Sequence, residues 1–503
     1  MTDTPWQGDA TSLVEAFRSG ERSPVEEMQA TLTAIEASDL NCFSFVDQER
    51  ALQAAKDADV SLPFGGIPMG IKELDSVQGW PDTKASLVFK DRIATKSSTT
   101  VDRIQTRGGA ALVGLTNASE FGGLNVGITK LNGVTHNPWM HGKTVGGSSG
   151  GSGAAVAGGL VTLASAADGG GSIRIPAGYN GLVGFKGTYG RIPRGPEAHS
   201  RPSTEVPGCL SRSVRDIARY FDVCTGVDLR DPWSLPSEGT WESLLGSTKL
   251  KGLKVGVIAS LGGVTLDHGV EELILQRSKE LIEALGWEQV EINLPLPNMT
   301  AEWMMGNVST LLAELGDLWP GCAGDLTPAI EDGLRLGQSF YNLRTAAIAE
   351  AKRLELNAAF ASAFEKVDLI LTATNPGPAF AADSQMSGSP APIIDKVLSH
   401  PVGRAATRAA LAVMRTAGGV VPNTPSAVLG LASTRIPEIL EMGGLTIPAN
   451  IYGNPAVSLP AGLLGGLPVG LQVMAANHQD ALLLDVALAA ERTFEWPLAA
   501  PKR

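Results

Sequence analysis

The stretch Asp168-Gly169-Gly170-Gly171-Ser172-Ile173-Arg174-Ile175-Pro176-Ala177 concentrates more chemistry than any other part of this 503-residue chain. Three glycines ahead of a serine free successive backbone N–H groups to converge on one point, because no side chain restricts the turn. Such a nest suits the oxyanion of a tetrahedral intermediate, where one donor is worth about 3 kcal/mol. A tight turn with an incidental serine is the competing reading of the same residues. Asp168 and Arg174 flank the serine with opposite charges and are expected to pair and brace the loop.

Upstream, Gly147-Ser148-Ser149-Gly150-Gly151 satisfies G-x-S-x-G with Ser149 at its centre. A nucleophile elbow needs a strand directly before it and a helix directly after. The preceding Asn137-Pro138-Trp139-Met140-His141-Gly142-Lys143-Thr144 has turn character, so Ser149 reads as a supporting residue, as does Ser152. Gly142-Lys143-Thr144 also fails as a phosphate loop, since Asn137 stands where the first glycine belongs.

Outward from this region the chain alternates between two periodicities. Ser23-Pro24-Val25-Glu26 forms a capping box, and Val25, Met28, Leu32 and Ile35 then mark one helix face. Gly65 to Lys72 reads as strand and loop, Thr99 to Thr106 as a helix stopped by Gly108-Gly109, and Ala110 to Leu115 as a buried strand. Gly153 to Leu160 is a small-residue helix able to pack closely. Leu253 to Ile258 and Val367 to Leu371 are further strands, with a long helical pattern from Leu343 to Val367 between them. This alternation predicts an α/β fold: one large sheet covered by helices on both faces. No linker divides the chain, and Asn375 to Pro392 is a proline-rich loop over the surface or a pocket. The expectation is one domain over residues 1–503.

Composition narrows the function classes. With 43% hydrophobic and 18% charged residues the chain is globular, and a formal charge of −12 disfavours nucleic acid and anionic membranes. Cys42, Cys209, Cys224 and Cys322 form no CxxC pair, so neither a zinc site nor a disulfide framework is expected. The start has no basic segment followed by an apolar one, and the nearly apolar run Ala154–Ala167 falls short of the ~20 residues of a membrane span. A cytoplasmic location is the expectation. Of the histidines, only His136 and His141 lie near the glycine-rich segment, and neither has a partner pattern for a triad or a metal. His199, His268, His400 and His478 lie elsewhere.

Taken in order, several segments together resemble the amidase signature family of serine hydrolases. They are Gly70-Ile71-Lys72-Glu73, Thr116 to Phe121, Asn137-Pro138-Trp139, the GGSSGGSG run around Ser148, the Asp168–Ala177 stretch, Gly184-Phe185-Lys186-Gly187-Thr188, and Asn450 to Pro460. The resemblance places a signature core at about 60–200 and 440–495. It implies a Ser–cis-Ser–Lys triad without cofactor or metal. Ser172 would attack the carbonyl carbon; Ser148, after a cis peptide bond from Gly147, would pass a proton between Ser172 and Lys72. Backbone N–H groups of Gly169, Gly170, Gly171 and Ser172 would hold the oxyanion. The chemistry is coherent, since serine needs a neighbouring base and lysine serves as one only when neutral.

The sequence departs from the family pattern at Leu115, Glu73 and Ala373, none of them a triad position. The resemblance implies hydrolysis of a small amide, cyclic amide or carbamate, with ester cleavage as a side activity. Its alternatives are the A-type subunit of a glutamyl-tRNA amidotransferase and a non-catalytic relative. The segment FGGLNVGITK after Glu120 differs from the motif of those subunits. A homodimer is an analogy drawn from the family. Specificity is expected from the variable, largely helical middle region, about 202–442. Its residues Trp303, Met304, Met305, Leu311, Leu312, Trp319 and Phe340 could line a pocket, but read better as core at helical spacing.

Overall fold

The computed structural model describes residues 4–197, 203–297, 299–384 and 437–501. His199 and His400, and the part of the Asn375–Pro392 loop beyond Ser384, lie outside these residues. So do the side chains of Met304 and Phe340.

Among the described residues, eleven strands form one sheet. In chain order the strands are β1 (Phe43–Val46), β2 (Pro68–Lys72), β3 (Ala111–Thr116), β4 (Ile128–Thr129), β5 (Gly133–Val134), β6 (Leu163–Asp168) and β7 (Val183–Lys186). They continue with β8 (Val206–Ser211), β9 (Lys254–Val257), β10 (Glu288–Gln289), β11 (Leu369–Ala373), β12 (Ala456–Leu464) and β13 (Leu467–Ala475). The order across the large sheet is β1-β3-β2-β6-β8-β7-β12-β13-β11-β9-β10, with β4 and β5 pairing separately. Parallel pairs (β2 with β3 and β6, β9 with β10 and β11) alternate with antiparallel ones, so the sheet is mixed. Helices cover both faces. Accordingly β2, β3, β6, β8 and β11 are buried at every residue, as expected of strands packed on two sides.

Local signals land where sequence chemistry predicts. The capping box at Ser23 starts the helix Pro24–Ala37. The helix from Thr99 ends through a π-turn, Ile104–Gly108, with Gly109 left-handed behind it. The small-residue helix spans Gly150–Ala157, three residues earlier than its apolar pattern suggests, with Ser149 at the N-cap position making no side-chain capping bond. Its glycines permit close approach: a Cβ on Gly151 would stand 2.4 Å from the backbone N of Asn117. Turn precedes Ser149 and helix follows it, so the strand an elbow requires is missing.

The largely helical middle region also contains strands, as the patterns at Leu253–Ile258 and Val367–Leu371 imply. Besides the helices Val270–Leu285, Thr300–Leu315, Pro328–Phe340 and Leu343–Phe364, it supplies β8, β9, β10 and β11 to the one sheet. Short strands such as Lys254–Val257 complete their burial only against neighbours distant in sequence, which makes them parts of the common core. All four cysteines are free thiols, three of them buried.

Candidate active site

Lys72 ends β2, and full coverage of that strand carries its side chain inside, where it is 1% exposed. Its backbone N–H donates to Ser165 Oγ at 2.8 Å, and Ser165 Oγ donates onward to Asp75 Oδ2 at 2.7 Å. The Lys72 Nζ donates to Ser148 Oγ at 2.9 Å and reaches the Ala167 carbonyl at 3.4 Å. Burial pulls its pKa down to about 8, against the opposing influence of Asp75, Glu205 and Asp168. A substantial fraction of this amine is therefore neutral in mildly alkaline solution and can accept a proton.

The Gly147–Ser148 peptide bond is cis. Gly147 lies against backbone, since a Cβ there would stand 2.5 Å from the N of Val126. Ser148 and the Asp168–Ser172 loop run side by side: the N–H of Ser149 donates to the Ser172 carbonyl at 3.3 Å. Ser172 follows the loop, 5% exposed, and its hydroxyl has no hydrogen-bond partner among the described residues. Catalytic hydrogen bonds often tighten only once substrate is bound. Ser149 Oγ donates to the Ala167 carbonyl at 3.3 Å, and Ser152 Oγ to the Ser165 carbonyl at 2.8 Å; both tie their helix to β6.

Asp168 and Arg174, both fully buried, pair at 2.9 Å. Burial pushes the Asp168 carboxyl up, but the Arg174 guanidinium outweighs that, and the group ends well below the usual carboxylate range. Arg174 also donates to Gln472 and Asn450, and Asn450 Nδ2 returns to Asp168 at 2.9 Å.

The glycine loop can be followed plane by plane. The Asp168 carbonyl accepts from Asn450 Nδ2 at 2.8 Å, that of Gly169 from Trp303 Nε1 at 2.9 Å, that of Gly170 from Thr446 Oγ1 at 2.6 Å, and that of Gly171 from Ile175 N at 2.7 Å. In a trans peptide the N–H points opposite the carbonyl, so each bond orients the next donor. The N–H groups of Gly169, Gly170 and Ser172 have no partner among the described residues. That of Gly171 differs from the expectation: it donates to Asp168 Oδ1 at 2.7 Å and is already engaged. Glycine is required there, with φ +124° and a Cβ that would stand 2.3 Å from Thr446 Oγ1.

Two cavities meet at Trp303, next to this loop. One, of about 830 Å³, is not lined by Lys72, Ser148, Ser172 or the loop glycines, but its lining residues Gly122 and Trp303 adjoin them: a Cβ on Gly122 would be 3.5 Å from Ser148 Oγ, and Trp303 bonds to the Gly169 carbonyl. The other, of about 740 Å³, includes Tyr189, Trp233, Tyr341 and Tyr452, and shares Trp303, Ser203 and Thr204 with the first. Trp303 and Leu311 thus line a cavity, while Met305 and Trp319 are buried core. Trp303 also packs against the main core, so it serves as core and as cavity wall at once, because helical spacing identifies the inward face but not everything that stands opposite it. His136 and His141 stack on each other at 3.9 Å between ring centroids, with His141 3.8 Å from Asp39. Among the described residues no group of three or more His, Cys, Asp or Glu is placed to hold a metal.

Comparison with known proteins identifies the family. Residues 26–402 match the family model described as Amidase. The chain belongs to the amidase family. Within that family it is 30% identical to the A-type subunit of the glutamyl-tRNA(Gln) amidotransferase of Chromohalobacter salexigens, over 98% of this chain and 97% of that one. It is 31% identical to the corresponding protein of the same name from Akkermansia muciniphila, over 96% and 98%. Among solved structures, 6-aminohexanoate cyclic dimer hydrolase superposes with a TM-score of 0.81 at 26% identity, covering 99% of each chain. A bacterial aryl acylamidase of the amidase signature enzymes shares the fold, with a TM-score of 0.82 at 24% identity over 99% of each chain. In this family member no helix among the described residues is long and apolar enough to cross a membrane.

Asp75, Thr446, Asn450 and Trp303 carry site contacts that motif reading missed. Asn450 begins a segment that carries the family resemblance, so position alone could have flagged it. Asp75 stands three residues after Lys72, a spacing that brings side chains together on a helix and says little after a strand. Thr446 has no sequence signal of its own, and the apolar spacing that marked Trp303 as core or pocket wall does not announce its hydrogen bond to the loop.

Proposed function

We propose that this amidase hydrolyses the C–N bond of a small amide, cyclic amide or carbamate through an ester on Ser172. The observation that carries the reading is the buried Lys72 amine held 2.9 Å from Ser148 Oγ, beside a serine whose hydroxyl is unengaged among the described residues. Neutral Lys72 takes the Ser148 proton as Ser148 takes that of Ser172. Ser172 Oγ then bonds to the carbonyl carbon, and the N–H groups of Gly169, Gly170 and Ser172 receive the oxyanion. The proton returns through Ser148 to the amine nitrogen as the C–N bond breaks. Water, deprotonated by the same relay, cleaves the ester to release the acid and restore Ser172. Asp168 and Arg174 hold the loop and stay outside the proton path.

A second reading has its own support in the relatives at 30–31% identity, which are A-type subunits of glutamyl-tRNA(Gln) amidotransferases. In that case glutamine is the amide, and the chain works with further subunits and a tRNA. The same triad would serve, so the site alone favours neither substrate. A non-catalytic relative is disfavoured by the presence of Lys72, Ser148 and Ser172 together. The small-amide reading also accommodates a homodimer.

The deciding experiment offers the purified chain anilides, cyclic amides, carbamates and glutamine, with a fluorophosphonate to label the nucleophile. Amide hydrolysis without glutaminase activity, lost together with labelling in Ser172→Ala, is the expected outcome. Glutamine turnover alone would move the assignment to the amidotransferase class, and labelling that persists in Ser172→Ala would end the proposed mechanism.

A further inference from the structure

The carbonyls behind the three unengaged N–H groups are not held in the same way. Asn450, behind Gly169, is bound into the buried Asp168–Arg174 cluster. Ile175, behind Ser172, belongs to the helix Arg174–Asn180, which follows the loop directly. The Gly169–Gly170 plane is tied at its carbonyl by Trp303 Nε1, and the tie comes from the helix Thr300–Leu315 in the middle region. The next plane is held at both ends, by Thr446 on the Gly170 carbonyl and Asp168 on the Gly171 N–H. The Gly170 N–H therefore takes its direction from one indole.

Steric fit points the same way. A Cβ on Gly170 would stand 2.7 Å from Trp303 Cζ2, so the ring lies flush against the loop as well as bonding to it. The face of the ring away from the loop is not idle, since Trp303 is common to both cavities. One side chain thus touches the loop carrying the donors and the space open to substrate.

We propose that Trp303 is a positioning residue: its indole N–H fixes the Gly169–Gly170 peptide plane so that the Gly170 N–H is presented to the developing oxyanion. The ring itself walls the two cavities, so its N–H and its surface do separable work. This rests on the reading of Ser172 as nucleophile. The consequence is that the middle region contributes to transition-state stabilisation as well as to substrate fit. An interaction that strengthens only as the oxyanion forms appears in kcat, whereas a wall in contact with substrate throughout appears in KM.

The test uses the full chain with 4-nitrophenyl acetate and acetyl-4-nitroanilide as probes. Trp303→Phe keeps an aromatic wall and deletes the donor. It is expected to lower kcat by about 10-fold or more while KM changes less than about 2-fold. Affinity for phenylboronic acid, which adds to a serine as a tetrahedral anion, should fall by the same factor as kcat. The pH midpoint of activity should stay where wild type has it, because the amine of Lys72 is untouched. Unchanged kcat and boronate affinity in Trp303→Phe, or a loss confined to KM, would overturn the proposal. Should that variant fail to fold, Trp303→Leu also deletes the donor, and kcat and boronate affinity carry the same comparison. Ser172→Ala measured alongside separates the two readings. Turnover in Ser172→Ala ends the nucleophile assignment; an inactive Ser172→Ala beside a fully active Trp303→Phe ends the Trp303 proposal alone.

Discussion

Lys72 Nζ and Ser148 Oγ stand 2.9 Å apart in a buried pocket where, among the described residues, no carboxylate forms an ion pair with the amine. An ammonium in that position has no ion-pair partner in contact, and burial outweighs the influence of Asp75, Glu205 and Asp168 to favour the neutral form.

The pH dependence follows from that contact. With the Lys72 pKa pulled down to about 8, kcat should rise as pH increases through about 8 and level off above it. Lys72→Ala should lose both the activity and the rising limb. A flat profile from pH 6 to 10 in the wild type would rule out this lysine as the base.

Asp75 offers an independent handle on the same amine. Its carboxylate accepts from Ser165 and favours the charged form of Lys72. Asp75→Asn removes a negative charge, so the midpoint of the profile should move to lower pH. An upward movement would mean that Asp75 acts by some route other than its charge.

Ser172→Ala deletes one oxygen from a loop whose backbone is held elsewhere. Turnover and fluorophosphonate labelling should vanish with the thermal midpoint little changed. The measurement is the labelled fraction by intact mass, alongside a melting curve.

Gly171→Ala should be damaging for a reason unrelated to the nucleophile. The residue has φ +124°, and its Cβ would collide with Thr446. A strain of about 1–3 kcal/mol is expected, with a kcat loss because the loop must shift. Denaturant melts of the variant check the first, and steady-state rates the second.

Asp168→Asn leaves Arg174 buried without its counter-charge, a change that typically costs about 3–5 kcal/mol. The linkage has a definite sign. The folded pKa of Asp168 is held below the unfolded value of about 3.9, so the pair stabilises fully above that value. The contribution is lost as pH falls below it, through the folded pKa. Wild type should therefore lose more stability on acidification below pH 4 than Asp168→Asn does, a difference that acid melts would reveal.

Legibility in the sequence follows the range of the interactions. Capping at Ser23, the stop at Gly109 and strands such as Ala111–Thr116 depend on neighbours a few residues away, and these appear in the chain as spacing and turn chemistry. In the middle region the strand Lys254–Val257 was legible as an apolar run, but Glu288–Gln289 was not, and the places of both at one side of the sheet come from pairing with distant segments. The apolar residues around Trp303 showed a helix face without showing whether a core or a cavity lay against it.

What the sequence by itself determined is the inventory: a mixed α/β chain, a glycine nest ahead of Ser172, and the residues Lys72 and Ser148 in the order the amidase family uses. Only the tertiary structure decided which donors remain free and which side chains hold them. The Gly171 N–H turns to Asp168, Asn450 reaches back to the Asp168 carbonyl, and Trp303 arrives from the helix Thr300–Leu315 to bind the Gly169 carbonyl. Hydrogen-bond direction and burial depend on chain segments hundreds of residues apart meeting in space. Local spacing does not record that meeting.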